Sequence, residues 1–208
     1  VVKAWLNGSF EEETFDVSVP QRKGEDLVVR QDEGFRENAS ADGFAKLRPA
    51  FTKDGSVTAA NASQISDGVS AVLVASEAAL EKHGLTPMAE ITGYAAGGLA
   101  PEWVMIAPQK AMENLASVTG FAAQEFDLLE VNEAFAAAAC ALTQELKLDP
   151  SRVNVHGGAI ALGHPIGASG ARILTTLLYA MKRQGASNGA ATLCLGGGNA
   201  VALAVKSC

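Results

Sequence analysis

The sequence predicts a mixed α/β fold, an open sheet flanked by helices. Three observations predict it. From residue 89 onward, short apolar runs alternate with helix-length segments in a βαβαβαββ order. Glycine and proline punctuate the ends of those segments. Hydrophobic residues make up 48% of the 208 positions, enough for a real core.

Residues 1–56 are the least regular. Val1-Val2-Lys3-Ala4-Trp5-Leu6 has no initiator Met and reads as the end of a helix entered midway, so a piece of a longer protein is expected. Thr14 to Val19 alternates Phe15, Val17 and Val19 with polar neighbours, a half-buried strand pattern. Pro20 to Asp26 is a charged turn, and Asp32 to Ala45 is polar and loop-like. Its scattered charges, Arg36 among them, suit a solvated face. Val57 to Ala60 is a short β-branched run. Asn61 or Ser63 is placed to cap a largely buried helix from Ser66 to Lys82, which His83-Gly84 and Pro87 end.

The regular part begins with a strand over Ala89–Ala95 and a helix over Pro108–Val118. A strand over Asp127–Val131 leads to a helix over Glu133–Leu146. A strand over Val153–Val155 leads through a glycine-rich loop to a helix over Ala171–Gln184. Strands Ala191–Leu195 and Ala200–Val205 close the series. The order implies a mainly parallel sheet with one antiparallel hairpin.

Composition excludes some functions. A net charge of −7 argues against general nucleic-acid binding, which needs a basic footprint. No apolar run reaches the roughly 18 residues of a membrane span, and no charged segment followed by an apolar h-region occurs in these residues to mark a secretory signal. Cys140, Cys194 and Cys208 are an odd count without paired spacing. A reducing, cytoplasmic location is expected over a disulfide framework.

Three elements carry chemistry. His164 lies in Gly163-His164-Pro165-Ile166-Gly167-Ala168-Ser169-Gly170. Pro165 pushes it to an extended backbone, and Ser169 or Gly170 opens a helix whose N–H groups favour anions. The alternative is a satisfied structural histidine. Cys194 precedes Gly196-Gly197-Gly198, whose N–H groups can form an anion-binding nest. Beside it a thiol is expected to titrate near neutrality and move protons or act as a nucleophile; the alternative is a small buried hydrophobe. Asn132, after an apolar strand, either caps its helix or fixes a water at the site. In open α/β sheets the site lies beyond the carboxyl ends of strands, and three separate strands could deliver these groups to one edge, which the spacing alone does not show. The glycine run is no dinucleotide fingerprint, since a strand follows it, and His156, His164 and Cys194 make only a weak case for zinc.

Asn132-Glu133-Ala134-Phe135, Gly163-His164-Pro165-Ile166-Gly167 and Cys194-Leu195-Gly196-Gly197-Gly198 resemble, in order and spacing, the three C-terminal active-site motifs of thiolases. Lys46 to Phe51 and Val57 to Ser63 extend the likeness, which covers essentially the whole chain. The resemblance implies a thiolase-like layered fold built of two βαβαβαββ halves with a loop domain inserted in the first. Residues 1–56 would be the rear of the loop domain, 57–88 the end of the N-terminal half, and 89–208 the C-terminal half. It implies acyl transfer between an enzyme cysteine and coenzyme A, in short-chain Claisen condensation or thiolysis. His164 would activate the nucleophilic cysteine and help bind a thioester oxygen, and Cys194 would take a proton from the α-carbon of acetyl-CoA. Asn132 would hold a water in one oxyanion hole, and the Gly196 amide would contribute to a second. Arg36, Ala62, Ser63, Ala134 and Phe135 would line the coenzyme A channel. Coenzyme A is implied as substrate, with no resident cofactor or metal, and an oligomer is implied.

The chain departs from the family pattern in one decisive respect. Neither Cys140 nor Cys208 stands in the nucleophile's motif, which in the family precedes the position of Val1. The chain by itself would then lack the acyl-enzyme step, the N-terminal half being a partner chain, a nicked segment or absent. Gln64 stands where glycine is common, and Trp103-Val104-Met105-Ile106-Ala107-Pro108 looks like the short-chain acetyltransferase form. Two other functions fit the residues less well: a non-catalytic coenzyme A or acyl-binding module, and a cysteine hydrolase using Cys194 and His164.

Overall fold

A computed structural model describes residues 1–208. Its centre is a four-stranded mixed sheet in the order β3-β6-β5-β4, formed by Ala89–Gly98, Asn199–Ser207, Asn188–Leu195 and Leu128–Val131. Strand β6 runs antiparallel to both of its neighbours, while β4 and β5 are parallel. The expected hairpin is therefore present, but β6 also separates β3 from β5. The parallel part of the described sheet is correspondingly small.

Helices cover both faces. Helix α4 (Ala107–Thr119) buries Ala107, Pro108, Ala111, Met112 and Leu115. Helix α7 (Ser169–Gln184) buries Ile173, Thr176, Leu177, Ala180 and Met181 on the opposite side. Both sets recur at three- and four-residue spacing, so each helix presents one apolar stripe to the sheet. The strands sort their side chains accordingly. Leu129, Val131, Ala200, Ala202 and Ala204 join α4, whereas Leu128, Ala191 and Val205 join α7. Helix α5 (Ala136–Glu145) packs on the α4 side through Leu142. Short helices α1 (Val2–Leu6), α2 (Ala41–Ala45), α3 (Glu77–His83) and α6 (Ala159–Leu162) complete the set. The charged turn at Pro20 to Asp26 joins β1 (Val17–Val19) to β2 (Leu27–Val29) in a small antiparallel hairpin.

The strand expected at Thr14 to Val19 forms as β1, but Phe15, Val17 and Val19 are exposed rather than half-buried. Two further expectations fail. The helix expected from Ser66 to Lys82 is only α3, and it is exposed. Ser76, not Asn61 or Ser63, caps it by accepting from Ala79 N at 3.3 Å. Residues 64–76 run without helix or strand, and Val69, Leu73 and Val74 are exposed. The β-branched residues Val69, Val72 and Val74 resist helical packing, and Gly68 adds a flexible position ahead of them. Asn61 instead closes a turn, accepting from Thr58 N at 2.8 Å and donating to Ser56 O at 2.9 Å.

The strand expected at Val153–Val155 is a single parallel bridge between Leu129 and Val153. It ends because Asn154 turns into the left-handed region at φ 48°. Its side chain then substitutes for a strand. Asn154 Oδ1 accepts from Val131 N at 2.8 Å, and Nδ2 donates to Val131 O at 2.9 Å. Replacing Asn154 by alanine leaves a buried N–H unpaired and a β-carbon at positive φ. The expected loss of stability is about 2–4 kcal/mol, read as a lowered urea midpoint with unchanged slope.

Candidate active site

The site is assembled at the ends of β4 and β5 and the start of α7. Helix α6 stops at Gly163, whose φ is 101° and where a β-carbon would run into Ser66 Oγ. The next residue, His164, is fixed by its backbone N–H donating to Gln64 O at 3.0 Å. Pro165 O then accepts from Ala168 N at 2.7 Å, Ser169 N at 2.9 Å and Ser169 Oγ at 2.9 Å, which turns the chain into α7. The imidazole is clamped at both nitrogens, with Nδ1 2.6 Å from Ser169 Oγ and Nε2 3.3 Å from Asn132 Nδ2. Burial, and then the Arg172 guanidinium, hold its pKa below the usual histidine value. It is therefore neutral near pH 7 and suited to accept a proton.

Asn132 extends the β4–β5 ladder by one residue, its N–H donating to Thr192 O at 3.0 Å. The side chain caps nothing: α5 starts four residues later, with Phe135 at its N-cap and no side-chain bond there. Asn132 is buried, its Nδ2 faces His164, and its Oδ1 has no protein partner. Of the two readings of this residue, the helix cap is the one the structure removes. Glu133 supports the turn, accepting from Asn154 Nδ2 at 3.0 Å and Ile160 N at 3.2 Å. It thereby ties the turn carrying Asn132 to the helix that leads into His164.

Cys194 lies two residues beyond Thr192, paired with Ala200 across β5 and β6. It is half-buried, and burial pushes the thiol up despite a backbone hydrogen bond that pulls it down. This corrects the expectation of titration near neutrality: the group is a protonated thiol at pH 7. The glycine turn follows at once. Gly198 has φ 89°, its O accepts from Leu99 N at 2.9 Å, and a β-carbon there would strike Leu99 O. Gly196 is exposed, and its O accepts from Asn199 Nδ2 at 3.3 Å.

Four of the five residues expected to contact coenzyme A come together. Residues 61–63 pair antiparallel with 134–136, through an Ala62–Phe135 bridge, Ser63 N to Ala134 O at 3.0 Å and Ala136 N to Asn61 O at 2.9 Å. The fifth, Arg36, is exposed on its loop and forms no ion pair. Its loop is held by Gln64 Nε2, which donates to Gly34 O at 2.7 Å, and by Phe35 stacked on Trp5 with centroids 6.2 Å apart. Cys140 is exposed on α5 and Cys208 at the chain end. His156 is buried with its ring edge against Phe10, centroids 5.8 Å apart.

A cavity of about 280 Å³ lies behind the His164 loop, lined in part by Glu13, Ser66, Gly163, Pro165, Arg172 and Thr176. None of His164, Asn132 and Cys194 lines it. Sequence reasoning missed Glu133, Asn154 and the side-chain role of Ser169. Glu133 stood inside a motif already singled out, and its fixed place beside Asn132 was the available signal.

Residues 85–207 match the thiolase C-terminal domain and residues 1–78 the thiolase N-terminal domain, so the chain belongs to the thiolase family. Its relatives include an acetyl-CoA acetyltransferase of Chromobacterium violaceum, 54% identical over 96% of this chain and 51% of the relative. A probable acetyl-CoA acyltransferase of Staphylococcus aureus is 49% identical over 99% of this chain and 52% of its own length. Among solved structures, the Bacillus anthracis acetyl-CoA acetyltransferase superposes with a TM-score of 0.94 at 40% identity, covering 100% of this chain and 52% of that one. Human mitochondrial 3-ketoacyl-CoA thiolase gives 0.92 at 39% identity, again covering 100% and 52%. These neighbours fix the thiolase fold for the described residues. The chain spans about half the length of the curated relatives it matches. No helix is long and apolar enough to cross a membrane.

Proposed function

We propose that this chain supplies the acid–base half of a thiolase-type acyltransferase acting on short-chain 3-ketoacyl-CoA. The observation that carries the reading is the His164–Asn132 pair, a neutral imidazole whose Nε2 meets a buried amide beside the Cys194-bearing strand. The nucleophilic cysteine comes from a segment outside residues 1–208. Cys140 and Cys208 are exposed and stand outside the glycine-framed motifs, and Cys194 is a protonated thiol. That same protonation disfavours a cysteine hydrolase built on Cys194.

In the cleavage direction His164 takes the proton of the incoming cysteine thiol at Nε2. The sulfur attacks the 3-keto carbon, and the carbon–carbon bond breaks with its electron pair going to the α-carbon. The Cys194 thiol protonates that carbon and releases acetyl-CoA. Asn132 Oδ1, free of protein partners, anchors a water that stabilises an oxyanion, and the exposed Gly196 turn serves the second one. The thiol of a second coenzyme A molecule gives its proton to the Cys194 thiolate and attacks the acyl carbonyl; the cysteine sulfur leaves and takes back the proton held at His164 Nε2, which restores all three groups. The strand pair of Ala62 and Ser63 with Ala134 and Phe135 forms part of the coenzyme A channel, and Arg36 reaches it from its exposed loop. We also assign residues 1–56 to the loop domain, 57–88 to the end of the N-terminal half and 89–208 to the C-terminal half. The working enzyme is an oligomer located in the cytoplasm.

The test is acetoacetyl-CoA thiolysis by the chain combined with a thiolase N-terminal half. Coenzyme A-dependent cleavage that Cys194→Ala reduces is the expected result. Cleavage absent from every combination would sink the reading. Coenzyme A binding, with any turnover indifferent to Cys194→Ala, would establish the non-catalytic module instead.

A further inference from the structure

Ser169 carries one hydroxyl proton and has two partners. Its Oγ lies 2.9 Å from Pro165 O and 2.6 Å from His164 Nδ1. A carbonyl oxygen only accepts, so the bond to Pro165 O consumes the hydroxyl proton. The short contact to Nδ1 then has one remaining polarity: Nδ1–H donates to Oγ. A neutral imidazole has one N–H, so Nε2 carries the lone pair. The third contact agrees, because Asn132 Nδ2 is a donor and lies 3.3 Å from Nε2. The serine contacts and the asparagine contact thus select the same tautomer.

We infer that Ser169 is a positioning residue that locks His164 in its Nδ1–H tautomer, leaving Nε2 as the basic atom toward the site. Histidine in water prefers the opposite tautomer, so the lock opposes the intrinsic preference. Ser169 can hold this geometry because it is 1% exposed and opens α7, where its own N–H is also bound to Pro165 O. When Nε2 takes a proton, the imidazolium keeps its Nδ1–H on Ser169. No proton passes to the serine, whose own hydrogen stays on Pro165 O. The sequence marks Ser169 only as a helix start; its role depends on a bond to a residue five positions earlier.

This inference rests on the proposed role of His164 as base, but its first measurement does not. Nitrogen-15 chemical shifts of the histidine-labelled chain at pH 7.5 report the tautomer directly. The expected signature for His164 is protonated Nδ1 and unprotonated Nε2; the reverse signature in the unaltered chain overturns the inference. In Ser169→Ala the signature is expected to move toward Nε2–H, and in Ser169→Thr to stay as in the parent. An alanine variant that keeps the parent tautomer also overturns it. With the N-terminal half present, Ser169→Ala is expected to lower thiolysis kcat about 10- to 100-fold with KM within about twofold, in the range of supporting-residue and tautomer effects elsewhere. Ser169→Thr should restore most of the rate. A correct tautomer with no thiolysis in any variant would leave Ser169 in its place and sink the proposed function instead.

Discussion

Replacing His164 by alanine is expected to lower coenzyme A-dependent cleavage of acetoacetyl-CoA by about 10³- to 10⁴-fold. A positioned general base contributes about 10²- to 10⁴-fold and a single oxyanion donor about 10²- to 10³-fold. Both effects meet in one ring here, and they do not multiply, because each depends on the same acylation step. The pH dependence has a definite sign. The active form is neutral imidazole, and burial together with Arg172 lowers the pKa from 6.5. Activity should therefore be full at pH 7 and fall only as pH drops through a midpoint below 6.5. That limb should vanish from the residual rate of His164→Ala. The measurement is kcat/KM against pH for the parent and the variant, and a loss of less than about tenfold would contradict the assignment.

The same ring shows what the sequence makes legible. His164, Cys194 and the Asn132 turn could be picked out because each needs a local geometry that few residues build. Gly163 at φ 101° and Gly198 at φ 89° leave their mark in the sequence itself. Helices α4 and α7 were equally legible, because burial on one face imposes a period that tertiary contacts do not erase. Residues 64–76 went wrong for a complementary reason. Alanine content suggested a helix, but Val69, Val72 and Val74 prefer an extended backbone, and only Ser76 supplies a working cap. Asn154 was hidden because its work is done by a side chain replacing backbone, which no period reports. The charge state of Cys194 was misjudged because the glycine turn was visible and the burial around the thiol was not.

The largest pH-dependent stability effect is expected from Glu130, the one charged residue of β4. It points to the α7 side, and its side chain is 2% exposed. Arg172 Nη1 lies 3.7 Å from its Oε2, too long for a hydrogen bond, and neither of those two atoms has another partner. Burial therefore outweighs the attraction of Arg172 and pushes Glu130 up to about 8. Unfolded, the same group titrates near its ordinary value of 4.5. Between those two values the folded chain holds more protons, so stability falls as pH rises. The contribution is fully present below 4.5 and is lost as pH passes through about 8. One such group gives a slope of roughly 1.4 kcal/mol per pH unit. Glu13, which accepts from Thr176 at 2.9 Å and is pushed up to about 7 by burial, adds to the lower part of the same interval. Glu130→Gln keeps the shape and removes the titration. Its urea stability should match the parent near pH 5 and exceed it by about 2–4 kcal/mol at pH 8, the scale on which buried ion pairs give way to neutral replacements. Parallel stability curves for the two proteins across pH 5–8 would show that the carboxyl is ionised in the fold. Arg172 would then be its true counter-ion, and the variant would be the less stable protein at every pH.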